Sequence, residues 1–401
     1  MQGKLSLAYV HYGAQSGVTG AVTRALAARG HDVRLVAATG DLDLRDPVTR
    51  LPRVRVPVLK HLALSAARYG RLWYQHRWNT EYAFDLHSAR AGRALAALRP
   101  APDLVLQNGA LLSPGLPPRL PYVLLVDHTR ALGMRSPPWP QHGLAAPADY
   151  GPGWRAREEA VYRGARLVAC FSEHVAGSLV EDYGVKRDRI AVVGGGANVF
   201  PAEAPRLDDG RTILFVGKDF VRKGGPVLLD AFRRLRRAHP KARLLIAGPR
   251  RVPALPENAA HLGPVEPDEL AGLFAQATVF CLPTLREPYG LAYLDAMACG
   301  LPCVGTQLEA VPEIVEDGVT GLLVPPGDPV ALCAALAELL DDPAGAREMG
   351  ARGRERVAAG RRWEHVAERL EAALRTLGAG SGRVGAGRSP RWRAEPAPPP
   401  G

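Results

Sequence analysis

Short apolar runs alternate with amphipathic stretches along most of this chain. Leu5 to Val10 is an apolar run that ends in the loop His11–Gly20, and a helical pattern through Val22 and Leu26 then stops at Gly30. Asp32–Ala37, Leu104–Gln107, Tyr122–Val126, Leu167–Phe171 and Ile190–Val193 read as further strands, with helical stretches such as Thr80–Leu98 between them. After Gly194–Gly196 and the Pro/Asp-rich stretch Pro201–Gly210 the pattern restarts. Strands are expected at Thr212–Val216, Arg243–Ala247, Val279–Leu282, Cys303–Gly305 and Gly321–Val324. Helices are expected at Val227–His239, Asp268–Gln276, Leu291–Cys299, Val311–Glu316 and Val330–Leu340. Alternation of this kind predicts parallel sheets covered by helices on both faces. No internal repeat is visible.

The length of 401 residues, 47% of them hydrophobic, suits two doubly wound halves and excludes a chain that is disordered throughout. The expected division is a first domain at 1–195 and a second domain at 196–360. A C-terminal helix at 361–377 would pack back on the first domain, ahead of a disordered Gly/Arg/Pro tail at 378–401. No long apolar run suits a transmembrane span, and Met1 to Tyr12 lacks the build of a cleaved signal. The five cysteines are odd in number and lie in apolar stretches, so reduced thiols in a cytoplasm are expected. Cys299 and Cys303 lack a neighbouring His or further Cys and are not read as a metal pair.

Net charge is +11 but local. Ten Arg or Lys stand against Glu81 and Asp85 in residues 50–99, and four arginines against Glu395 in the tail. That distribution suits a patch meeting phosphates, anionic lipid or an acidic substrate, and no nucleic acid partner is expected. Residues 60–82 mix Lys60, Arg68, Arg71 and Arg77 with Trp73, Tyr74, Trp78 and Tyr82. Two readings stay open for this segment: a helix packing its aromatic rings inward, or a face for an anionic membrane surface or an extended acceptor.

Ligands of open α/β sheets bind at the carboxyl ends of the strands. After the strand Thr212–Val216 comes a glycine-bearing loop with Gly217, Lys218, Lys223 and Gly224, followed by a helix. Two lysines five apart before a helix N-terminus can converge on a diphosphate, and the bland alternative is two solvated loop lysines. The second constellation is Leu282–Pro302. Pro288 and Gly300 bracket a helix running roughly from Tyr289 to Cys299, with Glu287 just before it and Asp295 about two turns along. Carboxylates placed so can accept hydrogen bonds from paired sugar hydroxyls; alternatively Glu287 caps the helix dipole and Asp295 is a surface acid. His128, after the strand Tyr122–Val126, is the first site candidate of the N-terminal half; Glu173, His174 and His11 are weaker ones.

Glu287–Pro302, the Gly217–Gly224 loop, Ser172 with Glu173, the run Gly318–Asp328 and Trp363 with Glu364 together resemble the signature of retaining glycosyltransferases of the group 1, family four type. The resemblance covers roughly residues 3–377 and is specific in the C-terminal half; the N-terminal half matches in layout. It implies the GT-B fold, two Rossmann-like domains of doubly wound parallel sheet facing across a cleft. It implies a hexosyltransferase that uses a nucleotide-diphosphate sugar without a metal or other cofactor. The acceptor stays open among glycans, lipid-linked sugars and small molecules. By position, Lys218 and Lys223 would hold the diphosphate, Glu287 would touch the donor sugar and Asp295 would bind the ribose. Gly217, the backbone of Gly290 and Leu291, and Gly17 from the opposite domain would complete donor binding. Lys218 stands where Arg is common and Asp295 where Glu is usual, one methylene shorter. The other classes considered are a two-lobed sugar- or phosphate-binding protein without turnover and a sugar-nucleotide epimerase on the same fold. A cytoplasmic enzyme, at most peripheral at the inner membrane surface, is the expectation.

Overall fold

The computed structural model describes residues 4–13, 15–40, 55–114, 120–201 and 208–379. The tail expected beyond residue 379 and the middle of the Pro/Asp-rich linker lie outside the described residues. The first sheet contains β1 (Ser6–His11), β2 (Asp32–Ala37), β3 (Leu104–Asn108), β4 (Tyr122–Val126), β5 (Leu167–Cys170) and β6 (Ile190–Val192). The second contains β7 (Thr212–Val216), β8 (Arg243–Ala247), β9 (Ala259–Gly263), β10 (Val279–Cys281), β11 (Cys303–Thr306) and β12 (Gly321–Val324). Both sheets are parallel, ordered β2-β1-β3-β4-β5-β6 and β12-β11-β10-β7-β8-β9.

Strands buried on both faces need apolar residues at consecutive positions, which is how Leu167–Cys170 and Val279–Cys281 read and why both are wholly buried. Each sheet reverses its strand order once, at β1/β3 in the first and at β7/β10 in the second. At such a reversal neighbouring connections leave in opposite directions and open a crevice at the carboxyl ends. The loops after β1, β7 and β10 therefore start at these two crevices.

The strand β9 is absent from the sequence reading, as are the helices Pro152–Gly164, Glu173–Glu181 and Pro343–Gly360, while the helix read at 60–82 divides into Val56–Tyr69 and shorter turns through Asn79. The helix starts at Leu291, as the apolar pattern reads, and not at Tyr289, as Pro288 suggests, because Gly290 takes a left-handed conformation (φ 112°) at its N-cap and leaves Pro288 in the preceding loop.

The chain crosses between the halves twice, at 193–201 and at Arg361–Trp363. Ala197 donates to the Arg361 carbonyl at 3.0 Å, tying the crossings together. At Gly196 a Cβ would lie 2.6 Å from the Trp363 backbone nitrogen, so the linker passes where no side chain fits. The helix Trp363–Ala379 then packs on Val18–Ala28 of the first half; Arg29 pairs with Glu371 at 2.5 Å and Arg369 donates to the Val193 carbonyl at 2.7 Å.

Candidate active site

The β7 loop is built as a tight cradle. The Asp219 carboxylate accepts the Arg222 N–H at 3.1 Å and the Asp219 carbonyl accepts the Lys223 N–H at 3.0 Å, which closes the turn. Gly224 has φ 78° and a Cβ there would run into the Pro283 carbonyl, so this loop lies directly on the one after β10. The two are tied again by the Leu285 N–H to the Arg222 carbonyl (2.9 Å) and by Arg222 Nη1 to the Arg286 carbonyl (2.8 Å). Gly217 adjoins the Lys223 stem, where a Cβ would sit 3.0 Å from Cγ.

This packing sends the two lysines in different directions. Lys223 forms a close ion pair with Glu287, with 13% and 4% of the two side chains exposed, whereas Lys218 is exposed on the loop. Burial holds the Lys223 ammonium below its usual pKa while the Glu287 carboxylate pulls the other way. The Glu287 N–H donates to Glu309, whose second carboxylate oxygen accepts Ser136 Oγ from the opposite domain at 2.8 Å.

Gly290 and Leu291 begin the helix Leu291–Ala298 with their N–H groups at the helix end, while the Tyr293 N–H turns back to the Gly290 carbonyl at 3.0 Å. Asp295 is on this helix and buried, but its Oδ1 accepts the backbone N–H of Asn198 (2.6 Å) and Val199 (3.1 Å) in the linker. Burial raises its pKa to about 7 against the lowering effect of those two bonds. Gly17 belongs to the same knot. It has φ 87°, its missing Cβ would lie 3.1 Å from Asn198 Oδ1, and that oxygen accepts Trp363 Nε1 at 3.0 Å. The linker thus stands between Gly17 and Asp295.

On the first domain, His128 follows β4 with both ring nitrogens buried and unpartnered. Burial, then the neighbouring His174, Arg130, Arg286 and Arg222, push its pKa down to about 3, so the ring is neutral. Asp127 beside it remains open to water within the cleft, yet crowding by the walls raises its carboxyl above the ordinary value. The N–H groups of Glu173 and His174, at the start of Glu173–Glu181, both donate at 2.8 Å to Glu313 of the second domain. His11 Nδ1 accepts the Gly13 N–H at 3.3 Å, and burial lowers its pKa. Cys299 and Cys303 are buried thiols of the second core.

The structure therefore joins Lys223 with Glu287 and Gly17 with the Asp295 linker knot, and leaves Lys218 at the rim. Arg130, Arg286, Glu309 and Glu313 are cleft residues that the sequence reading passed over. A left-handed backbone at Glu309 (φ 51°) is not visible in a residue string, and a lone Arg before Glu287 carries no spacing signal.

Residues 210–342 match the family described as Glycosyl transferases group 1, and residues 17–199 match Glycosyltransferase Family 4. The chain is 31% identical over 215 residues to the glycogen synthase of Mycobacterium tuberculosis, covering 50% of this chain and 51% of that one. It is 35% identical over 191 residues to the phosphatidyl-myo-inositol mannosyltransferase of Mycobacterium leprae, covering 45% and 50%. The chain spans about half the length of these curated relatives. Among solved structures, sucrose-phosphate synthase from Thermosynechococcus elongatus aligns with a TM-score of 0.65 at 22% identity, over 94% of this chain and 100% of that one. HepE of Anabaena in complex with UDP-glucose aligns with a TM-score of 0.58 at 15% identity, over 94% and 100%. Both likenesses are of fold, and they place the two facing sheets in the GT-B architecture.

Proposed function

We propose, from the premise that the chain belongs to the group 1 glycosyltransferases, that it moves a sugar from a nucleoside-diphosphate donor to an acceptor in its cleft. The observation that carries this reading is the buried Lys223–Glu287 pair at the carboxyl ends of β7 and β10, where the second sheet reverses its order.

When the glycosidic bond breaks, negative charge grows on the departing nucleotide. Cations already fixed beside it are worth more in the transition state than before it, which is the condition for accelerating the step. Lys223 is fixed by Glu287 and has little water around it; Lys218 at the rim is free to swing onto the diphosphate. Glu287, held by its own N–H on Glu309, orients the sugar. The first-turn N–H groups at Gly290 and Leu291 add donors for the phosphates. His128, neutral at ordinary pH, accepts or donates a hydrogen bond to a sugar hydroxyl. In this reading the anomeric configuration is retained and the lysines supply the positive charge for which other transferases use a metal ion.

A thermal-shift screen with UDP, GDP, ADP and dTDP tests the reading, followed by nucleotide release from the matching sugar donors. One nucleotide should stabilise the protein, and turnover should persist in chelator. Failure of all four to bind removes the proposal.

A peripheral contact with an anionic membrane surface through the first domain is part of the same proposal. The helix Val56–Tyr69 buries only Val58, His61 and Ser65, leaving Val56 and Leu59 exposed (78% and 52%) beside Lys60 and Arg68. Trp78 instead packs against His61 and His87. Among the described residues no helix is long and apolar enough to cross a membrane. Co-sedimentation with anionic but not neutral vesicles is expected, and equal recovery with both would exclude the contact.

A further inference from the structure

Four side chains on the two walls of the cleft hold buried nitrogens without a hydrogen-bond partner: His128 Nδ1 and Nε2, Arg130 Nε, His174 Nε2, and Arg286 Nε and Nη2. They are near enough to act on one another, since His128 feels the charges of His174, Arg130 and Arg286, and Arg286 feels Arg130 across the cleft. Leaving a buried donor unpaired costs about 1–3 kcal/mol, and more when the group is charged. Unpaired nitrogens gathered in this way form a site whose partner is a ligand.

The site is also built to stay open. Arg130 is clamped with Cζ 3.6 Å above the Tyr150 ring and Nη2 donating to Met134 Sδ at 2.7 Å, so its remaining edge has a fixed direction. Arg130 Nη1 and His128 Nε2 lie side by side, each 3.5 Å from the Cβ position of Gly133. Arg286 comes from the opposite domain, with its carbonyl held by Arg222. Of the nearby acids, Glu309 accepts the Glu287 N–H and Ser136 Oγ and Glu158 accepts Tyr183 Oη at 2.7 Å and the Arg130 N–H at 3.3 Å, while Asp127 faces the water of the cleft.

We propose that Arg130 and Arg286, flanked by His128 and His174, bind a phosphate group carried by the acceptor. Two guanidinium edges from opposite walls and two imidazoles offer more donors than a planar carboxylate has lone pairs directed toward them, and they suit a tetrahedral oxyanion. The site adjoins the Lys218–Lys223 loop assigned to the donor diphosphate, since Arg222 of that loop holds the Arg286 carbonyl. It rests on the transferase reading and narrows its acceptor to a phosphate ester, either a soluble sugar phosphate or the phosphodiester of a lipid headgroup.

The test uses the full chain saturated with whichever nucleoside diphosphate stabilises it; if none does, the transferase reading has failed before this site is examined. Calorimetry then compares glucose 6-phosphate, glucose, and dihexanoyl phosphatidylinositol below its micellar concentration, on the native protein and on Arg130→Gln and Arg286→Gln. Binding of either phosphate compound, at least tenfold tighter than glucose and weakened at least tenfold by each substitution, supports the site, and the compound that binds identifies the source. Nucleotide affinity in both variants should stay within twofold of native. Should Arg130→Gln lower the melting temperature markedly, Arg286→Gln in the loop after β10 decides alone. Binding no tighter than glucose, or binding indifferent to Arg286→Gln, overturns the proposal.

Discussion

Asp295 Oδ1 accepts the backbone N–H of Asn198 at 2.6 Å, so an acid of the second domain holds the strand of chain that joins the two domains. The same oxygen takes the Val199 N–H, and Asn198 in turn reaches the Ser16 carbonyl with its amide at 3.2 Å. The acid expected at the ribose is thus also a hinge anchor, and one of its oxygens is already used.

Stability should therefore depend on pH through Asp295. Its folded-state pKa, about 7, lies above the unfolded value, so the folded protein holds a proton that the unfolded chain gives up earlier. The sign follows: between about pH 4 and pH 7 stability falls as pH rises, by up to a few kcal/mol, because ionising the buried acid opposes folding. Glu158, also raised to about 7 by burial, acts in the same direction. Urea denaturation from pH 4.5 to pH 7.5 should show this decline, and Asp295→Asn should flatten part of it. An unchanged slope in the variant would show that Asp295 ionises normally.

The ion pair Lys223–Glu287 makes a different prediction. Removing one partner of a buried pair strands the other charge, at a cost of about 3–5 kcal/mol, whereas removing both charges together is close to neutral. Lys223→Met alone should lower stability by that order, and Lys223→Met with Glu287→Gln should recover most of it. Turnover should be lost in both. Chemical denaturation beside nucleotide-release kinetics separates the two effects. Recovery of activity along with stability in the double variant would mean that the lysine's task is structural.

Much of the fold is written in local pattern, and the exceptions have physical causes. The strands β7, β8 and β12 read directly because each is a short apolar run between turn residues. The strand β9 does not: at the sheet edge it alternates half-exposed and exposed positions, and Ala259, Ala260 and Gly263 give it little β character. Pro343–Gly360 looks too glycine-rich for a helix, yet Gly353 lies where a Cβ would sit 3.3 Å from Met297 Cγ, and Gly350 fits against the Gly300 carbonyl. Its glycines allow close approach to the helix that carries Asp295. In the site, Glu287 and Lys223 could be found because they bracket turns in one domain. The cleft partners Ser136, Glu309 and Glu313 come together across 139 to 173 residues of chain, and no local pattern records that.

Lys218 offers the cleanest probe of nucleotide binding, because it is exposed and structurally idle. Lys218→Ala should leave stability within about 0.5 kcal/mol of native, as surface substitutions usually do. Losing one charge-assisted contact to the diphosphate should weaken nucleotide binding by roughly tenfold to a hundredfold, about 1.5–3 kcal/mol for a charged hydrogen bond. Calorimetry with the bound nucleotide measures it. An affinity equal to native would move the diphosphate away from this loop.

Closure of the cleft should depend on Glu313. Its carboxylate spans the domains to cover the N–H groups of Glu173 and His174 at a helix N-terminus, where negative charge is favoured and where the cap Ser172 already serves Val175 at 3.2 Å. Arg361 holds the Glu313 carbonyl at 3.0 Å and Tyr289 Oη at 3.1 Å, so the clasp is tied to the second crossing of the chain. Glu313→Ala removes two charge-assisted bonds that exist only when the domains are together, so its whole cost falls on the closed form, on the order of 1–3 kcal/mol. The radius of gyration from solution scattering should rise, and the donor Michaelis constant should increase about fivefold to a hundredfold while turnover at saturation changes less. Glu313→Gln, which keeps an acceptor oxygen but no charge, should fall between. If scattering and kinetics of the alanine variant both match the native protein, closure rests on the contacts of Ser136 with Glu309 and of His142 with Gly327 instead.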